Sequence, residues 1–166
     1  MKTSLKITSL AAIALVLLCQ TGLSAPQPAD HCMNVFAEGG GPLTIPLGFP
    51  PTATILGDVP GLISSVVTSL EPTGATGQGA LHLTLVHTFV SADPARPGSF
   101  TTEDVAVCAP AGSNPLVCRV NDVLTIVAGT GIFANAEGSL RNHGVIDFTT
   151  FSLTFSLRGR VCGDGL

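Results

Sequence analysis

The stretch Leu81-His82-Leu83-Thr84-Leu85-Val86-His87-Thr88-Phe89 alternates two kinds of side chain without a break. Successive side chains of a strand point to opposite faces, so Leu81, Leu83, Leu85, His87 and Phe89 share one face and His82, Thr84, Val86 and Thr88 the other. Upstream, Leu62, Ser64, Val66, Thr68 and Leu70 alternate with Ile63, Ser65, Val67 and Ser69, which suits a strand partly covered on both faces. Downstream, strands are expected at Ser99 to Cys108, Val117 to Val127, Gly131 to Ala136, Ser139 to Phe148 and Phe151 to Cys162. Between Gly39 and Pro60, the run Gly39-Gly40-Gly41-Pro42 and four further prolines leave room only for loop or short edge strands. No segment carries a helical period. About eight strands punctuated by turns every 8 to 12 residues or so indicate an all-β fold, either a closed antiparallel barrel or a β-sandwich.

The 166 residues include 19 Gly and 12 Pro and are 45% hydrophobic and 11% charged, which excludes coiled coils and most helical bundles. Lys2 and Lys6 precede the apolar run Ile7 to Leu18, which gives way to Gly22-Leu23-Ser24-Ala25. This is the layout of a secretory leader, and the run is shorter than the roughly 20 residues a membrane-spanning helix needs. Residues 1–24 are therefore expected to be a signal peptide, 25–31 a flexible arm and 32–163 one domain of a protein secreted to the extracellular space or periplasm, without a membrane span. Beyond residue 24 the chain holds five arginines against eleven acids, a net charge of −6. That sign argues against nucleic-acid partners and anionic membrane surfaces. With Trp and Tyr absent, aromatic shelves for sugars are also scarce.

Past the leader stand Cys32, Cys108, Cys118 and Cys162, an even number that reads as disulfides with three possible connectivities. Cys108 and Cys118 bracket a turn-rich segment that a bridge between them would staple, which leaves Cys32 and Cys162 to join the two ends. The rival metal reading lacks any C-x-x-C spacing. His82 and His87 are five residues apart on one strand and so point to opposite faces, and no metal or other cofactor is expected. Asp58, Glu103, Asp104 and Asp122 read as loop or strand-end carboxylates with no informative spacing, and no G-x-S-x-G occurs. No catalytic residue is assigned. In the final hairpin, a turn centred on Thr149-Thr150 sets Arg141 opposite Arg158, a like-charge pair that would suit an anion, with His143 on the same polar face. Arg141, His143 and Arg158 are the candidate anion or ligand contacts.

The stretch from Ala128 to Gly138 resembles the G-G-T-G-x-F-x-x-A-x-G motif of dirigent proteins at Gly129, Thr130, Gly131, Phe133, Ala136 and Gly138. Ala128 stands in place of the first glycine, and Ala134 and Glu137 stand where the plant motif carries basic residues. The resemblance implies an eight-stranded calycin-like barrel of the kind dirigent proteins share with allene oxide cyclases, here in a bacterial-type exported relative. Phe133 would fill the barrel end while the glycines permit close packing. The family's disulfide joining early and late parts of the domain would correspond to Cys32 with Cys162. The implied function is binding of a small apolar or aromatic molecule in the barrel mouth, with Leu81, Leu83, Leu85, Phe89, Phe151, Leu153 and Phe155 packing the barrel. Two alternatives are an isomerase or cyclase of the allene oxide cyclase kind, which needs an acid inside the barrel, and dirigent-type steering of a reactive intermediate. A third is a structural protein that forms homo-oligomers through its outer strands.

Overall fold

A computed structural model describes residues 31–43, 52–73 and 79–166. The expected signal peptide and nearly all of the arm lie outside these residues. Eight strands form a closed antiparallel barrel in chain order: β1 (Cys32–Pro42), β2 (Thr52–Gly57), β3 (Gly61–Pro72), β4 (Leu81–Ser91), β5 (Gly98–Ala111), β6 (Asn114–Gly131), β7 (Glu137–Asp147) and β8 (Ser152–Cys162). β8 closes the ring on β1 over the whole length of both, from Cys32 opposite Cys162 to Pro42 opposite Ser152. On the other side the short β2 pairs only with Ala37 to Gly40 of β1 and with Gly61 to Ser64 of β3. Among the described residues no helix is long and apolar enough to cross a membrane.

Several strands differ in extent from the sequence expectation, each for a physical reason. The run Gly39 to Gly41 lies inside β1 rather than breaking it. A Cβ at Gly39 would stand 2.3 Å from the ring of Phe155 and 2.6 Å from the carbonyl of Thr54. Phe155 lies between Gly39 on β1 and Gly144 on β7, so glycine on both flanks makes room for one aromatic ring. The segment Gly131 to Ala136 is a turn, not a strand, because β6 runs on to Gly131 and the chain then folds back through hydrogen bonds from Phe133 to Thr130 and from Ala136 to Phe133. The turn-rich Cys108 to Cys118 segment is itself a hairpin, pairing Ala111 with Asn114 around Gly112-Ser113, with Gly112 at φ +72°.

The two ends of the barrel differ. At one end Phe89, Phe100 and Phe133 form a triad with ring centroids 4.7 to 5.8 Å apart, and Phe133 is wholly buried. The turn after β6 and the C-terminal residues 163–166 close this end through hydrogen bonds from Asp164 to Ala134 and from Gly165 to Ile132. Gly129 permits the closure, since a Cβ there would lie 1.9 Å from the carbonyl of Phe133. Gly131 and Gly138 adopt φ +63° and +126°, with Ala136 buried between them. Toward the other end the inward positions Leu81, Leu83, Leu85, Val120, Gly144, Ile146 and Leu153 are only half-buried. Interior side chains that solvent still reaches define an open half above a plugged one. Phe151, expected in the packing, is half-exposed in the turn before β8 at φ +49°. Its strand begins one residue later, so it never joins the inward series.

Cys32 bonds to Cys162 and Cys108 to Cys118. The first bridge links the paired ends of β1 and β8; the second ties β5 to β6 with both cysteines buried.

Candidate functional site

Among the described residues, inward polar side chains gather at one level of an apolar wall, with Ser65 of β3 opposite His87 of β4. Inward positions of β5 run Phe100, Thr102, Asp104, Ala106 and Cys108, and those of β6 run Cys118, Val120, Asp122, Leu124 and Ile126. Asp104 and Asp122 therefore sit in mid-strand, buried, and not at loop or strand ends as their sequence context suggests. His87 projects from β4 into the same space, and Asn142 of β7 is directly opposite Asp122. In register, His87 is opposite Thr102 and Asp104 opposite Leu124, so the group steps by two residues across β4, β5 and β6. That stagger is what a sheared barrel needs to bring residues of adjacent strands to one level.

Nδ1 of His87 contacts Oδ2 of Asp104, whose side chain is fully buried. The buried Thr102 hydroxyl donates to the same oxygen at 3.0 Å. One ligand-capable atom from each of His87, Asp104 and Asp122 lies within 4.8 Å of the other two. Three buried oxygens have no hydrogen-bond partner: Oδ1 of Asp104, Oδ1 of Asp122 and Oδ1 of Asn142. Burial, reinforced by the neighbouring negative charge of Asp104, pushes the Asp122 carboxyl up to about 6, with His87 and the Asn142 amide pulling the other way. Orphaned buried polar atoms are uncommon because each forfeits about 1–3 kcal/mol of hydration. Three together, beside the half-buried leucines of β4, mark a place suited to hold another group.

The residues singled out from the sequence lie elsewhere. Arg141 and Arg158 are directly opposite one another on the outer surface, in the register that a turn around Thr149-Thr150 requires, although the loop spans residues 148–151. Arg158 stacks on Phe36, with 4.8 Å from its guanidinium carbon to the ring centroid. His143, also on the outside, bonds Oδ1 of Asn121 through Nδ1 at 2.7 Å. A groove of about 580 Å³ runs beside it, lined by Arg119, Asn121, His143, Thr154 and Ser156 together with Val120, Gly144 and Phe155 of the inward series. Arg141, His143 and Arg158 themselves face away from the barrel interior. The site residues that sequence reasoning missed, His87, Asp104, Asp122 and Asn142, are far apart in the chain. Their one local signal is a polar residue at an inward position of an alternating strand, visible for His87 within its leucines.

The fold compares with solved dirigent proteins. The pterocarpan synthase dirigent protein PsPTS1 superposes with a TM-score of 0.53 at 16% identity, over 80% of this chain and 95% of that one. A second, GePTS1, gives 0.45 at 15% identity over 81% and 92%. No protein-family model matches the sequence, and a search of curated proteins returns no match. The chain thus has a dirigent-like all-β barrel fold.

Proposed function

We propose that the protein binds a small, largely apolar or aromatic molecule in the open half of its barrel. The molecule would pack on Leu81, Leu83, Leu85 and Leu153 and present a hydroxyl or carbonyl group to the layer of His87, Asp104, Asp122 and Asn142. The observation that carries this reading is the set of three unpartnered buried oxygens beside the inward leucines of β4. A ligand hydroxyl would donate to one of these oxygens, while the leucines supply about 25 cal/mol per Å² of apolar surface removed from water. The two disulfides and the absence of a long apolar helix among the described residues are consistent with an extracellular protein, and we propose export with loss of residues 1–24. The exposed outer-face residues Leu62, Val66, Val90, Val105 and Val123 favour self-association.

Native mass spectrometry of the protein from its own producing cells tests the reading. A retained molecule of a few hundred daltons, lost when Leu83→Trp fills the open half, supports it. A barrel empty in both forms, with no small aromatic compound taken up, overturns it.

A second reading makes the same layer a proton-transfer centre, either as a cyclase of the allene oxide cyclase kind or in dirigent-type steering by an exported, bacterial-type relative. The observation favouring it is the placement of a His87–Asp104 pair beside a second carboxyl, a donor and an acceptor in one enclosed space. Conversion of a bound compound by the purified barrel would separate it from binding alone.

A further inference from the structure

We propose that His87, Asp104 and Asp122, with Asn142 as a fourth donor, form a binding site for a divalent transition-metal cation inside the barrel. The ion would take the same oxygens that the ligand reading offers to a hydroxyl, and titration with the ion alone distinguishes the two.

Four strands contribute one donor each, and the donors differ in chemistry: an imidazole nitrogen, two carboxylates and an amide oxygen. The candidate donor atoms of His87, Asp104 and Asp122 span 4.8 Å at most. Two donors of one ion with bonds near 2.1 Å stand at most about 4.2 Å apart, and about 3.4 Å apart in a tetrahedral shell, so the widest pair must draw together by about 0.6 to 1.4 Å for all three to engage. Oxygens that should be satisfied in an apo protein are unsatisfied here, on Asp104, Asp122 and Asn142 alike. Asp104 is fully buried and Asp122 is 4% exposed, so bulk water does not account for their free oxygens.

The surroundings already supply the outer support such sites need. Thr102, fully buried, donates to Oδ2 of Asp104 and fixes the plane of that carboxylate with Oδ1 free. Two buried carboxylates and one imidazole leave net negative charge in a low-dielectric space, which a divalent cation would neutralise. One imidazole with oxygen donors suits Mn²⁺, Fe²⁺, Co²⁺ or Zn²⁺ better than an all-oxygen site suited to Ca²⁺ or Mg²⁺. Sequence spacing hides the set, because the ligands come one per strand and no two share a local motif.

Calorimetric titration of the chelator-treated, disulfide-intact protein with Mn²⁺ and Zn²⁺, and visible absorption with Co²⁺, test the proposal. One ion per chain is expected, with a rise in thermal midpoint on binding. Asp122→Asn keeps the His87–Asp104 contact and should weaken binding at least tenfold. Thr102→Val should weaken it by about tenfold through the outer shell. His82→Ala, altered on the other face of the same strand, should leave binding unchanged. No saturable binding of any of the three ions overturns the proposal, and so does binding of undiminished affinity in Asp122→Asn.

Discussion

Asp104 and Asp122 bring two buried carboxyl groups together inside the barrel, and only Asp104 has a direct partner in His87. The two aspartates are thus inequivalent, and their removal should have opposite effects on the ion-free protein. Asp104→Asn breaks a buried pair and leaves His87 without its carboxylate partner, a loss of about 3 kcal/mol. Asp122→Asn removes a like charge from an enclosed space and should stabilise by about 1 kcal/mol. Thermal unfolding at neutral pH, followed by far-ultraviolet circular dichroism, reads both signs.

Closure of the plugged end depends on glycine where backbone meets backbone. Gly129→Ala would drive a methyl to 1.9 Å from the Phe133 carbonyl, so the turn carrying Phe133 must shift. A loss of roughly 3 kcal/mol or more is expected. Gly112→Ala meets nothing within 4 Å and carries only the strain of φ +72°, about 1 kcal/mol. Urea titrations of the two variants should differ accordingly in midpoint.

Phe133 fills the centre of the aromatic triad at zero exposure. Phe133→Ala should cost about 3–5 kcal/mol, at the upper end because the stacked pair Phe89 and Phe100 cannot collapse into the space. Chemical denaturation gives the value, and a cost below about 1 kcal/mol would contradict the packing described.

The two disulfides close chain loops of very different length, with sequence separations of 130 and 10. Loop-closure entropy gives about 5 kcal/mol for Cys32–Cys162 and about 2.7 kcal/mol for Cys108–Cys118. Paired Cys→Ser variants should therefore rank in that order in denaturation midpoint. The reverse order would show that the hairpin bridge, not the ring closure, limits unfolding.

On the outer face, Arg141 and Arg158 are paired without an acidic partner among the described ion pairs. Arg141→Thr should stabilise by about 0.5 kcal/mol at low salt, with the gain shrinking as ionic strength rises. Melting curves at two salt concentrations measure both the sign and the screening.

Much of the architecture is legible in the chain because alternation is a local property. The Leu81 to Phe89 strand, the register that sets Arg141 against Arg158, and the all-β class all follow from period two and turn chemistry. What escaped depends on contacts between distant residues. Gly39 to Gly41 look like a break until Phe155 is placed beside them, and Phe151 looks like core until the turn before β8 is seen to hold it outside. The interior site is the extreme case. His87, Asp104, Asp122 and Asn142 meet only through the stagger of four strands, and that stagger is a property of the closed ring.

The central claim, that the open half of the barrel receives a small apolar molecule against this polar layer, is tested most directly by nuclear magnetic resonance. Titrating 2-naphthol into isotope-labelled, disulfide-intact protein should shift signals of Leu83, Leu85, Asn142, Gly144 and Leu153 in a saturable manner, and those shifts should vanish in Leu83→Trp. Shifts confined to the outer residues Leu62, Val66 and Val90, or no saturable shift at all, would contradict it.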